Sequence, residues 1–150
     1  MRSAGATDSR PDQPTIFIDR NSGGRSFKAI LETKGIRVVL HDEVFARDIP
    51  DEEWISEVGK RGWIAITGDN AITRSPLALH HLSRSKLFLF VLHGLNGATR
   101  EGKAECILTS YEKMRVLVRA AEPPKIWRVG KDGVARLFDF KKVLVRMQRR

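Results

Sequence analysis

Four short runs dominated by apolar residues constrain this chain more than any other feature: "IFI" at 16–18, "IRVVL" at 36–40, "WIAIT" at 63–67 and "LFLFVL" at 87–92. A strand with one wet face alternates apolar and polar residues, whereas a strand buried in a parallel sheet needs a continuous apolar run. The segments between these runs have a different period. "RNSGG" makes a tight turn, and Ser22 is expected to cap a helix with Phe27, Ile30 and Leu31 at helical spacing, ended by Gly35. "PDEEWISEVGKRG" predicts a second helix, with Asp51 at its cap and Trp54, Ile55 and Val58 facing inward. "SPLALHHLS" predicts a third, capped by Ser75 with Pro76 in its first turn. A long helix follows from Thr99, with Ala104, Ile107, Leu108, Tyr111, Met114, Val118 and Ala121 on one face, stopped by Pro123-Pro124. "KIWRV" and "VARLF" around "GKDG" read as a terminal hairpin. Strand and helix thus alternate four times, the pattern of a three-layer α/β/α sandwich with a mostly parallel central sheet.

The 150 residues suit one domain with a substantial core, and 41% hydrophobic content agrees. Residues 1–14 are rich in Ser, Asp, Pro and Arg with no apolar period and are expected to be disordered; the folded domain is placed at 15–138, and 139–150 is taken as a basic C-terminal tail. No apolar run approaches bilayer length and the start has no apolar central segment, so neither a membrane span nor a secretory signal is expected, and the cytoplasm is the expected location. The single cysteine, Cys106, can form no internal disulfide and reads as a small buried helix residue.

The net charge of +9 points outward, because a basic surface concentrates polyanions whatever their sequence. Nucleic acid is the partner class this implies, although part of the charge lies in the tail "KKVLVRMQRR".

Against that basic background stand acids at the ends of the apolar runs: Asp19 after the first, Asp51-Glu52-Glu53 opening the helix after the second, and Asp69 after the third. In an open parallel sheet these ends share one edge, the edge where ligands bind. Each acid alone has a structural explanation: Asp51 as a cap, Glu52 and Glu53 beside the helix dipole, Asp19 and Asp69 in Asx-type turns. Together, crowded carboxylates repel one another unless a cation resolves the repulsion, and Mg²⁺ commonly sits on one or two carboxylates with waters and a substrate phosphate. Acids holding Mg²⁺ in a positive protein suit phosphodiester cleavage.

The order "IFIDRN", "PDEEW" and "GWIAITGD" resembles the PIN-like domains of bacteria, particularly those related to VapC toxins of toxin–antitoxin systems, over roughly Thr15 to Val129. The resemblance implies a Mg²⁺- or Mn²⁺-dependent ribonuclease, RNA as substrate and a cognate antitoxin as protein partner; it also admits a homodimer. Carried over residue by residue, it assigns metal binding to Asp19, Asp51 and Asp69, and catalysis to those three with Glu53. Which of Asp51, Glu52 and Glu53 acts is left open, with Asp51 first. The chain departs from the family pattern at Arg20, where relatives often have an acid, at Gly68, where they have a basic residue, and in "HGLNG", where His93 and Asn96 stand in place of a further acid. Those departures support an alternative expectation, a module of the same fold that binds RNA or a protein and cleaves nothing.

Other features carry less. "SGG" before a helix lacks the Lys-Ser/Thr of a P-loop, and His80-His81 suit surface contact better than one metal. Asp42 is an extra acid past the second run, or an ordinary loop residue. Trp54, Trp63 and Trp127 fall inside expected elements and read as core.

Overall fold

A computed structural model describes residues 13–19, 24–94 and 98–149. Arg20, Ser22 and Asn96 lie outside these, as do residues 1–12. Six strands form one sheet: β1 (Ile16–Ile18), β2 (Val38–Leu40), β3 (Ile64–Thr67), β4 (Phe88–Leu92), β5 (Lys125–Val129) and β6 (Ala135–Phe138). Their order is β2-β1-β3-β4-β5-β6, parallel throughout except for the antiparallel β5–β6 hairpin. The expected mostly parallel α/β/α sandwich is therefore the observed fold. β1 matches its run, whereas β2, β3 and β4 are shorter than theirs by one or two residues, since the first residues of a run continue as buried coil before the ladder, as Ile36 and Trp63 do.

Two buried clusters show why the runs are continuous. Ile16, Ile18, Ile64, Ile66, Phe90 and Trp127 pack with Phe27 and Leu31 of α1 (Arg25–Glu32) and Ala104, Ile107 and Met114 of α5 (Arg100–Ala120). The alternate strand residues Phe17, Ala65, Leu89, Val91 and Ile126 pack on the other face with α3 (Asp51–Lys60), α4 (Pro76–Ser83) and α6 (Phe140–Gln148). Both faces of β1 to β4 are covered, so these strands are apolar throughout except at Thr67, the last residue of β3, whereas β5 and β6 toward the sheet's edge admit Lys125, Arg128 and Arg136. All three tryptophans and Cys106 are buried. Among the described residues no helix is long and apolar enough to cross a membrane.

Helix ends agree with the sequence in part. Ser75 caps α4 through Ala78 N–H, with Pro76 in its first turn, and Thr99 caps α5 through Gly102 N–H. Gly35 closes the turn after α1 at φ +84°, a conformation that favours glycine. The N-cap of α1 is Gly24, with no side-chain cap bond.

Two expectations change. Asp51 does not cap α3: Pro50 is the N-cap, and Asp51 is the first helical residue. Its Oδ1 accepts the Trp54 indole N–H at 2.9 Å, because a tryptophan whose ring is buried still needs a partner for its one donor. Residues 139–150, read as a basic tail, instead hold a capped helix. Asp139 accepts Lys142 N–H, and Phe140 and Leu144 enter the core beside α4, with Val143 and Met147 packed behind them. Apolar residues at 140, 143, 144 and 147 have helical spacing, and burying them outweighs the local charge, which stays outside on Lys141, Lys142, Arg146 and Arg149. A further short helix, α2 (His41–Val44), occupies the stretch that reads as a loop around Asp42; Asp42 itself is exposed.

Candidate active site

At the carboxyl edge of the sheet, β1 and β3 are neighbours, and their ends bring Asp19 and Asp69 together through one side chain. Asp19 extends the ladder by one bond, its N–H donating to Ile66 O at 3.1 Å. Thr67, fully buried as the last residue of β3, donates its hydroxyl to Asp19 Oδ2 at 2.9 Å and accepts the Asp69 N–H at 3.0 Å. A carboxylate cannot donate, so the single hydroxyl proton must point at Asp19 and a lone pair at Asp69. Asp69 Oδ1 in turn accepts Ala71 N–H at 3.0 Å, capping a 3₁₀ turn over Asn70–Arg74. Asn70 Nδ2 donates to Gly68 O and to Leu92 O, each at 3.1 Å, which fastens this turn to the end of β4.

The sequence places Asp19 and Asp69 correctly at adjacent strand ends, but it does not single out Thr67 or Asn70. The signal for Thr67 is the threonine two residues before the aspartate in "TGD", where a β-branched residue at a strand end carries a hydroxyl within reach of two turns.

Asp51 is elsewhere. The loop and α2 between β2 and α3 carry the start of α3 toward α4, where Asp51 and Glu52 line a small cleft with Ser75, Leu77 and His81. Glu52 Oε2 stands 3.7 Å from His81 Nδ1, and Glu53 is exposed. Among the described residues no three His, Cys, Asp or Glu side chains gather as a metal-holding group, so Asp19, Asp51 and Asp69 are not drawn into one three-ligand set. The remaining donors still suit a hard cation. Two carboxylates with waters match the habit of Mg²⁺, and each acid accepts a neutral hydrogen bond, Asp19 from the Thr67 hydroxyl and Asp69 from the Ala71 N–H. His93 lies exposed just past β4.

The acid–base balance of two other side chains is set by their surroundings. Burial pushes the Glu43 carboxyl up, but the Leu40 N–H and the Lys28 ammonium outweigh it and hold the group below its ordinary value of 4.5. Burial raises the Cys106 thiol, with Asp132 adding to the effect.

The open α/β sheet carries Asp19 and Asp69 at the carboxyl ends of the adjacent strands β1 and β3, as suits a nuclease-type fold, and PIN-like domains generally are nucleases that commonly use divalent metals. Residues 14–94, just over half of the chain and including β1 to β4 with both acids, match the family described as PIN like domain; the chain belongs to that family. No curated protein and no solved structure matches it.

Proposed function

We propose that this PIN like domain hydrolyses phosphodiester bonds of RNA with the help of Mg²⁺ or Mn²⁺. Following the likeness of its motifs to VapC toxins, it would act in the cytoplasm as the toxin of a toxin–antitoxin pair, restrained by a cognate antitoxin. The observation that carries the catalytic part is the Thr67 bridge: one buried hydroxyl orders the Asp19 carboxylate and the Asp69 backbone at the ligand-binding edge of a +9 protein. Asp19 and Asp69 are the residues that would hold the cation, which when bound supplies an activated water and offsets charge on the phosphate. Thr67 keeps the first acid in place, and Asn70 keeps the turn carrying the second docked on β4.

The test is RNA cleavage by purified wild type and by Asp69→Asn, with EDTA as control and circular dichroism to verify folding. Metal-dependent cleavage lost in the variant supports the reading; equal cleavage by both places the activity elsewhere. A second reading, a binding module of the same fold, is favoured by Asp51, which is engaged by Trp54 instead of joining the other two acids. Wild type that binds RNA but cleaves it with no divalent metal establishes that alternative.

A further inference from the structure

Register carries one row of side chains across five strands. Thr67 on β3 is paired with Val91 on β4, Val91 with Arg128 on β5, and Arg128 with Arg136 on β6. Asp19 joins the near end through its bond to Thr67. Strand alternation puts all of these on one face, that of Phe17, Ala65, Leu89, Ile126 and Phe138. The row therefore runs from an acid at β1 to two arginines at β5 and β6, with Arg128 about 10 Å from Thr67 by two strand spacings.

Two features of the arginine end are costly for stability alone. Like charges directly opposite on an antiparallel pair repel, and Arg128 faces Arg136 across the hairpin. Arg128 is also half-buried, yet among the described residues no carboxylate pairs with it. Its guanidinium lies 4.5 Å from the Phe138 ring centroid and donates to Thr73 Oγ1 at 3.4 Å. Thr73 donates to Asn70 O in the turn that Asp69 caps, so a short hydrogen-bonded path joins this arginine to the second acid. Arg136 is exposed and its guanidinium stands 3.4 Å from Asp132, between two exposed side chains. A planar cation fixed by stacking and short of a carboxylate is suited to phosphate.

We infer that Arg128 and Arg136 are phosphate-binding residues that hold the sugar–phosphate backbone of single-stranded RNA where their side chains reach solvent at the β5–β6 end of this row, the Thr67 and Val91 that separate them from Asp19 being buried, so that a neighbouring phosphate lies on the arginines while the scissile one lies at Asp19 and Asp69. This rests on the nuclease reading for the identity of the scissile position, not for binding itself. The acids repel a phosphate approaching without metal, and the paired arginines supply the attraction that the acid end lacks.

Binding of a fluorescent single-stranded oligoribonucleotide, measured by anisotropy in EDTA at several salt concentrations, tests the inference. Arg128→Gln and Arg136→Gln should each lose about tenfold in affinity. Each should also flatten the plot of log affinity against log salt by about 0.7. Arg119→Gln, exposed in the last turn of α5 at the opposite edge of the sheet, should match wild type, which separates a local contact from a change in net charge. If Arg128→Gln fails to fold, the exposed Arg136→Gln decides the matter. Wild-type affinity and slope in both variants overturn the inference even if the protein cleaves RNA. Arginine-dependent binding by a wild type that cleaves nothing with any divalent metal upholds it and removes the nuclease reading, and a wild type that binds no oligonucleotide overturns the inference, leaving the nuclease reading to the cleavage assay.

Discussion

The Thr67 hydroxyl donates to Asp19 Oδ2 at 2.9 Å although the two residues are 48 apart in sequence. That contact exists because β1 and β3 pair in parallel, Ile18 beside Ile66, so the residue after each pair meets at the edge. Removing the hydroxyl while keeping the shape should leave the Asp19 carboxylate short of a donor in a half-buried place. Thr67→Val is therefore expected to lower stability by about 1–3 kcal/mol and to reduce RNA cleavage sharply, while Thr67→Ser retains most of both. Urea denaturation and a cleavage assay on the three proteins check this, and full activity in Thr67→Val would show that the bridge is structural only.

Calorimetry with Mn²⁺ reports on the acid pair directly. Wild type is expected to bind at least one ion, and Asp19→Asn to lose that binding with its fold retained, because Asp19 and Asp69 are the carboxylates that β1 and β3 bring to this edge. Unchanged binding in the variant would place the ion away from Asp19.

Helix α6 should behave as part of the domain. Leu144 is buried beside α4, so Leu144→Ala is expected to cost about 2–5 kcal/mol in urea denaturation, whereas Val145→Ala, half-exposed on the same helix, should change little. Equal, negligible effects would mean that the C-terminal residues contribute nothing to the fold.

The Lys28–Glu43 pair gives the chain a modest acid sensitivity. Lys28 Nζ donates to both Glu43 oxygens, at 2.9 and 2.8 Å, and Leu40 N–H donates to Oε1 at 2.8 Å. The folded-state carboxyl lies below its ordinary 4.5, so its stabilisation is fully present above that pH and is lost as pH falls through the folded value. Both partners are partly exposed, and the contribution is held to about 1 kcal/mol or less. Glu43→Gln should be less stable than wild type at pH 7 and nearly equal to it at pH 2 to 3, read from paired urea curves.

Cys106 should be inert in the native protein. Its thiol is buried, donates to Gly130 O at 3.3 Å and has a raised pKa, so the reactive thiolate is scarce at neutral pH. A thiol reagent should label it in urea and leave it untouched without; rapid native labelling would contradict the burial.

The layers of this fold were legible in the sequence because they depend on local pattern: runs of three to six mostly apolar residues, too short for helices and bounded by turn residues, read as doubly buried strands, and spacings such as Trp54, Ile55 and Val58 read as helix faces. Asp19 and Asp69 were legible for the same reason, each being the first polar residue in or after a turn that closes a run. Tertiary structure decided what those residues meet. Asp51 binds the indole of Trp54 three residues on, because the burial of that ring between the sheet and α3 leaves its N–H to the first turn of the helix, and α2 with its loop carries this turn toward α4 rather than to Asp19 and Asp69. The tail became α6 because its apolar residues found a surface on α4, which composition dominated by Lys and Arg conceals. Thr67 bridges the acids only because β1 and β3, distant in sequence, lie side by side, and Arg128 faces Arg136 only because their hairpin takes one particular register. Register is set by the packing of the whole sheet between its helices, so a shift of one residue on any strand would dissolve the row while leaving every local pattern in the sequence unchanged.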